Sequence, residues 1–359
     1  MSELSFPFPS APASNGALQE IVPGVLWLRM PLPLALDHIN LYLLQDDDGW
    51  LIVDTGIGDQ ATRQLWRQIF AGPLAGQRIS GVLCTHYHYD HAGLVGWLCD
   101  TLRVPLYMSY GEYFTLRTLA VTPPATLPWQ HLEYFQRCGF PSTALDDIHQ
   151  VLRMSSQLVT APPAAFRRLR HGEVLKVGGH DWQLHLGEGH TAEQMLLYDA
   201  ERGLLIAGDQ LLPRITSNIS VLPGEAESDL LKDWLASLKR LARLADAHGG
   251  SGSANPLILP AHELPYRGLQ LRVQQLEQHH GHQLDILQQL CATTAENADE
   301  LSAFEASRQL FVHRRNLSNV DQMMALGECL AHLNHLLRRG EIERRLDDDG
   351  CWRYRPRGA

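Results

Sequence analysis

Paired thiols are the first absence. The cysteines Cys84, Cys99, Cys138, Cys291, Cys329 and Cys351 include no CxxC spacing, which removes structural zinc knuckles and dithiol redox motifs from consideration. Scattered through 359 residues, they suit the reduced, mostly buried thiols of a cytoplasmic protein. No apolar run approaches the roughly 20 residues that span a bilayer. Residues 1–17 lack the basic start and continuous apolar stretch of a signal peptide. Positive charge is also in deficit: 30 Lys and Arg face 40 Asp and Glu, a net charge of −10. Bulk attraction to nucleic acid or an anionic membrane is therefore disfavoured. No GxSxG occurs, so a serine nucleophile on a strand-to-helix elbow is not expected. What remains reads as a soluble, cytoplasmic protein whose 45% hydrophobic residues suffice for a full core.

Against these absences stands one dense run: His86-Tyr87-His88-Tyr89-Asp90-His91-Ala92-Gly93. Four metal-capable side chains within six residues, HxHxDH, have no simple packing explanation. The run follows Ile79 to Cys84, which patterns as a buried strand, so the four side chains lie at a strand's carboxyl end, where α/β proteins place their chemistry. Three more residues share that setting. His190 follows the strand pattern ending near Leu186, Asp209 follows Ile206-Ala207-Gly208, and His262 follows Leu259-Pro260-Ala261. Each alone is an ordinary tight turn; it is the joint arrangement that points to a metal centre.

The chain order gives the organisation. Residues 1–19 read as a flexible N-terminal arm. Strand patterns at Val25–Leu28, Ile39–Leu44 and Trp50–Val53 come first, the last two joined by Asp46-Asp47-Asp48-Gly49, a hairpin turn. A helix is expected from Asp59 to Phe70, and a short one from Ala92 to Cys99. From about 109 to 158 strand patterning stops. Helix-like segments rich in aromatics read either as extra packing or as a cap over a substrate pocket. Strands return at Val174–Val177, Asp181–Leu186, Met195–Tyr198, Leu204–Ala207 and Leu257–Pro260, with a helix over 227–245 and a flexible loop at Gly249 to Ser253. A connecting helix occupies 266–297. Its histidines His279, His280 and His282 read as an exposed helical cluster. Residues 298–359 then show two helical patterns, a stop at Gly340 and two short strands, the outline of a winged helix.

The ligand order resembles that of the metallo-β-lactamase superfamily of hydrolases, nearest its glyoxalase II-like branch. It consists of His86, His88, Asp90 and His91, then His190, Asp209 and His262, with Asp54 in Val53-Asp54-Thr55-Gly56. The resemblance covers about residues 20–265, and Met324 to Gly340 is similar to the winged-helix tail of some members. It implies an α+β four-layer αββα sandwich with a small C-terminal winged-helix domain. It also implies that His86, His88 and His190 bind one divalent metal ion and Asp90, His91 and His262 a second, with Asp209 bridging. Asp90 and Asp54 would be the catalytic carboxylates, Asp54 by orienting a ligand. Aspartate at 209, where true β-lactamases of the superfamily often carry cysteine, favours the hydrolase branch.

An imidazole and carboxylate set without thiolate suits Zn²⁺ first, and also Fe²⁺ and Mn²⁺. A binuclear metal centre would hold a bridging hydroxide, since bound metal lowers the pKa of water toward about 7. The reading is metal-dependent hydrolysis of an ester-type bond (thioester, ester or lactone) in a small molecule. Two alternatives stand beside it. One is a phosphodiesterase or nuclease using the tail, where Arg338, Arg339, Arg344, Arg345, Arg353, Arg355 and Arg357 are largely offset by acids. The other is a mono-iron persulfide dioxygenase. Expected partners are a small-molecule substrate and, through the tail or the insertion, a second copy in a homodimer; nucleic acid is not favoured and no membrane is expected.

Overall fold

Seven strands pair in the order in which the chain makes them. They are β1 (Leu18–Val22), β2 (Val25–Pro31), β3 (His38–Asp46), β4 (Gly49–Val53), β5 (Arg78–Leu83), β6 (Leu106–Met108) and β7 (Arg167–Arg168). Neighbours from β1 to β4 are antiparallel, and from β4 to β7 parallel. A second sheet has the order β12-β11-β10-β9-β8, built from β8 (Val174–Val177), β9 (His180–Gly187), β10 (Gln194–Asp199), β11 (Leu204–Gly208) and β12 (Leu257–Pro260). Here only β11 and β12 are parallel; the other pairs are antiparallel. The computed structural model describes residues 3–33, 36–245, 255–296, 300–312 and 317–358. Met1, the loop expected at Gly249 to Ser253 and the start of the helical pattern at Ala298 lie outside the described residues.

Local chemistry explains the elements. Asp46 pairs with Gly49 across the β3–β4 hairpin, leaving Asp47 and Asp48 as the two-residue turn expected from the sequence. Helix α1 (Gln60–Ala71) starts where Asp59 accepts a hydrogen bond from the Thr62 N–H at 2.7 Å, an N-cap. The short helix expected over 92–99 is two pieces, α2 (Tyr89–Ala92) and α3 (Val95–Leu102). Helix α4 (Tyr110–Leu119) follows β6 directly.

The two sheets stack through one apolar layer. Trp27, Tyr42, Leu51, Val53 and Leu83 of the first meet Trp182, Leu184, Leu197, Ile206 and Leu259 of the second. Alternation along the strands turns Leu28, Met30, Leu41, Leu43, Ile52 and Val82 to the opposite face. There they pack with Trp66 and Ile69 of α1, Val95 and Leu98 of α3, and Tyr113 and Leu116 of α4. Packing on both faces fixes the register, because a one-residue slip would exchange the side chains of the two layers and spoil the fit of each.

Two expectations about the N-terminus change. β1 begins inside the stretch read as an arm, ahead of the first expected strand, and it pairs with β2 across Pro23-Gly24. Residues 3–17 are docked rather than loose. Ser5 and Arg267 exchange backbone hydrogen bonds of 3.1 and 2.8 Å, Phe6 lies against Tyr266, and Phe8 meets the edge of Trp27. The cause is alternation: Leu4, Phe6 and Phe8 give the segment one apolar side.

The chain forms two compact units, divided differently from the linear reading. The first is 1–122, 155–217 and 237–273; the second is 123–154, 218–236 and 274–359. Most of the region set apart at 109–158 thus belongs with the C-terminal residues. The second unit contains α5 (Trp129–Arg137), most of α6 (Leu145–Gln157), the start of α7 (Leu230–Ala242), most of α8 (Leu269–Glu296), α9 (Ala303–Leu310), α10 (Asn319–Arg339) and the hairpin of β13 (Ile342–Leu346) and β14 (Trp352–Pro356). Within it, Tyr134 donates to the Val221 carbonyl at 2.8 Å, and the Asn334 amide donates to the carbonyls of Ala226 and Ser228. Gly340 ends α10 at φ 72°, the left-handed stop expected of it. His280 departs from the exposed cluster: it is fully buried and meets the equally buried His332 at 3.1 Å, because it lies on the apolar side of α8 with Leu276, Leu284 and Leu287.

Gly93 separates α2 from α3 where three backbones cross. Thr160 N–H donates to the Gly93 carbonyl at 2.7 Å, and Gly58 N–H to the Leu158 carbonyl at 2.8 Å. A Cβ on Gly93 would overlap the Gly58 nitrogen and the oxygens of Tyr89 and Leu158. Gly93→Ala should therefore lower the stability of the first unit by about 1–3 kcal/mol, as overpacking does, read as a lower urea midpoint. An unchanged midpoint would show that the crossing relaxes freely.

Candidate metal centre

Five strand ends converge. Asp54 follows β4, the histidine run follows β5, His190 follows β9, Asp209 follows β11 and His262 follows β12. Within each sheet these strands run in the same direction, so their carboxyl ends share one edge. Helix α2 sets the spacing inside the run. His88 is its N-cap and Asp90 and His91 fill its first turn, so one helical turn redirects the last two side chains relative to the first two.

All seven sequence-predicted ligands meet. The donor atoms of His86, His88, His190 and Asp209 lie within 4.8 Å of one another, and so do those of Asp90, His91 and His262. Asp209 stands between the groups: Oδ2 is 3.3 Å from His190 Nε2, while Oδ1 is 3.4 Å from His91 Nε2 and 3.5 Å from His262 Nε2. His262 Nε2 is also 3.5 Å from Asp90 Oδ2. His91 Nε2 and Asp209 Oδ1 are buried and have no hydrogen-bond partner. Two buried polar atoms aimed at one point, among imidazoles and carboxylates without a thiolate, fit a pair of divalent cations.

Asp54 braces this cluster rather than lining it. Its carboxylate accepts from the Thr85 N–H at 2.7 Å, the Thr85 hydroxyl at 2.8 Å and His91 Nδ1–H at 2.9 Å. That last bond puts the His91 proton on Nδ1 and leaves Nε2 as the electron-pair donor. Asp54 sits at φ 62°, a conformation that costs a non-glycine residue energy and persists where surroundings impose it. His262 is set the same way, with Nδ1–H donating to the His38 carbonyl at 2.8 Å. His38 Nε2 in turn accepts the Glu263 N–H at 2.9 Å.

Sequence reasoning missed Thr85, His38 and Glu112. Glu112, fully buried on α4, accepts from the Tyr87 N–H at 2.9 Å and the Glu193 N–H at 2.7 Å, tying the histidine run to the loop of His190. Burial raises the pKa of its carboxyl, against the hydrogen bonds it accepts. Thr85 adjoins the HxHxDH run and was within reach of a reading by position. Glu112 lies in the aromatic stretch with no motif around it.

Electrostatics split the histidines. Burial, with the neighbouring His91 and His88, holds His86 well below its ordinary pKa, and burial beside His190 takes His88 down to about 3. Both are neutral and present lone pairs. Burial also opposes the charged forms of His91 and His262, but Asp209 leads the carboxylates that outweigh it and raise both. Burial likewise opposes Asp209 ionisation, and His91 and His262 overturn it, leaving the carboxyl well below its usual range. A cation entering here displaces protons from His91 and His262.

The sequence model of the family described as "Metallo-beta-lactamase superfamily" matches residues 34–248, and that of "Metallo-beta-lactamase-like, C-terminal domain" matches 284–357. A solved beta-lactamase domain protein from Burkholderia ambifaria is 39% identical, with TM-score 0.87 and 98% of each chain covered. "Probable metallo-hydrolase YqjP" of Bacillus subtilis is 24% identical over 87% of this chain and 92% of its own. "Acyl-coenzyme A thioesterase MBLAC2" of Gallus gallus is 24% identical over 62% of this chain and 73% of its own.

Two outcomes follow from the site. Asp54→Asn should weaken divalent-metal affinity about 10–100-fold, measured by chelator competition, with the far-ultraviolet dichroism retained; unchanged affinity would remove Asp54 from this role. Metal-free protein should be most stable near pH 6.5. Below that value the unfolded chain protonates histidines that stay neutral in the fold at His86 and His88, so stability falls with acid. Above it the fold still holds protons on His91 and His262 that the unfolded chain has released, so stability falls with base. Bound metal replaces those protons and should shift the optimum upward. Denaturant midpoints across pH, with and without metal, check both signs.

Proposed function

The chain belongs to the metallo-beta-lactamase superfamily and is a metal-dependent hydrolase; we propose that the bond it cleaves is ester-type, a thioester, carboxylic ester or lactone of a small molecule. The observation that carries the reading is Asp209, a carboxylate facing both donor groups where a thiolate would otherwise stand. That choice supports the glyoxalase II-like side of the superfamily, and the acyl-coenzyme A thioesterase among the relatives supports a thioester.

When bound, two divalent cations, zinc in our reading, supply an ionised water at neutral pH and an electrophile for a carbonyl oxygen. The residues do the rest. Asp209 aims one oxygen at each histidine group and so fixes their relation. Asp54 and the His38 carbonyl hold the imidazoles of His91 and His262 in the tautomer that binds metal. Asp90 stays ionised: burial opposes this, but His91 holds its carboxyl below the usual range, which keeps a carboxylate oxygen available beside His262 as a metal donor.

The helix pair α9–α10 with the β13–β14 hairpin we read as a winged-helix module used for packing or dimerisation. Its arginines support that reading over nucleic-acid binding, because most of them are committed to carboxylates. Arg344 pairs with Glu227, Arg353 with Asp347 and Glu305, Arg355 with Glu343, and Arg345 with Glu300. A cytoplasmic setting suits six cysteines that are all free and buried. Among the described residues no helix is long and apolar enough to cross a membrane.

The test is metal quantification on purified protein together with a panel of thioesters, esters, lactones and phosphodiesters. We expect two divalent ions per chain and salt-insensitive turnover of a small ester-type substrate. His88→Ala and Asp209→Ala should each cut kcat/KM by about a thousandfold or more with the fold intact. Full activity in both variants overturns the assignment. Steeply salt-dependent phosphodiester cleavage, or one iron per chain with oxygen consumption, replaces it with a nuclease or a dioxygenase.

A further inference from the structure

The sheet edge that carries the donors continues past them. β4 to β7 are parallel, so Asp54, the histidine run, the start of α4 and Arg168 follow one another along it. The first turn of α4 is tied to the donor loops: besides the Glu112 bonds, Gly111 N–H donates to Glu193 Oε2 at 2.8 Å. Just outside that turn, Tyr110 and Phe114 are 50% and 43% exposed, with rings 4.6 Å apart.

Three guanidiniums stand on tyrosine rings at this end of the sheet, two of them on the face of this pair: successive residues of β7 point to opposite faces, so Arg168, paired with Met108, shares the helix-covered face, and Arg167, paired with Tyr107, lies on the other. Arg168 lies 4.9 Å from the centre of Tyr110, Arg167 5.3 Å from Tyr107 and Arg117 5.9 Å from Tyr113. Arg167 also donates to the Tyr107 hydroxyl at 2.6 Å. Among the described residues none of the three pairs with a carboxylate, whereas nearby Arg170 is taken up by Glu173. Stacking uses the flat face of a guanidinium and leaves N–H groups at its edge for an anion, and that fork matches phosphate oxygens. In a chain of net charge −10, exposed aromatics ringed by uncommitted arginines are out of keeping with the rest of the surface.

Building on the thioester reading, we infer that this patch binds the phosphorylated nucleoside end of a nucleotide-linked thioester. The base stacks on Phe114 and Tyr110, the phosphates meet Arg168 and Arg117 on either side of them, and the flexible arm of the substrate runs along the sheet edge to the metal centre. Single-stranded nucleic acid would use the same stacking and charge, but it needs a basic groove with contacts to many phosphates. Two arginines on an acidic chain fit a short polyanion instead.

The experiment compares wild type with R117Q/R168Q and Phe114→Ala, all metal-loaded and full length; the substituted side chains are exposed, so the fold should hold. Calorimetric titration with adenosine 3′,5′-bisphosphate should show binding to wild type and about tenfold or greater loss in R117Q/R168Q. KM for a coenzyme A thioester should rise about tenfold in the same variant with kcat unchanged. The pantetheine thioester of the same acyl group should be turned over equally by all three proteins. The inference fails if wild type does not bind the nucleotide, if both thioesters lose equally, or if a single-stranded oligonucleotide binds more tightly than the nucleotide. Should no thioester be hydrolysed, the functional reading falls, while the nucleotide titration still decides the patch.

Discussion

One buried carboxylate holds the metal centre in shape. Asp54, in a left-handed backbone conformation, accepts three hydrogen bonds within 3 Å, two from Thr85 and one from His91. A strained, ionisable residue with almost no solvent contact is costly unless every acceptor position is used. Here the cost secures two things at once. Thr85 is fixed at the start of the histidine run, and His91 is fixed in tautomer and ring direction. Because β4 and β5 are neighbours, the bracing crosses between adjacent strands and needs no long connection.

The same economy appears around the other donors. His262 is oriented by a backbone carbonyl of β3, and the loops of His86 and His190 are tied through Glu112. The site is thus supported by backbone N–H and C=O groups that no motif search weighs. Rigid support of this kind matters because a metal site needs donors that cannot move apart.

This explains what could be read in advance. The HxHxDH run, His190, Asp209 and His262 were visible because each follows an apolar strand pattern and each bears metal-binding chemistry. Short apolar runs bounded by turns, such as β2 and β3, and the capped helix α1 were visible for similar local reasons. Glu112 was not, since its role depends on a contact between segments 25 and 81 residues apart. β7 has two residues, too few for any periodicity. The docked N-terminal segment showed its alternation only beside Tyr266 and Trp27, and His280 became a core residue only once α10 supplied His332. The composition of the second unit was hidden because it gathers three separated stretches.

The topology of the second sheet also sets an order of assembly on the ribosome. Within that sheet β12 pairs with β11, and it is separated from it by α7 and the residues after it. The group of His86, His88, His190 and Asp209 therefore emerges complete while the edge position beside β11 is still vacant. Only the late arrival of β12 delivers His262. A nascent chain therefore presents four donors of one group before the last donor of the other has been made.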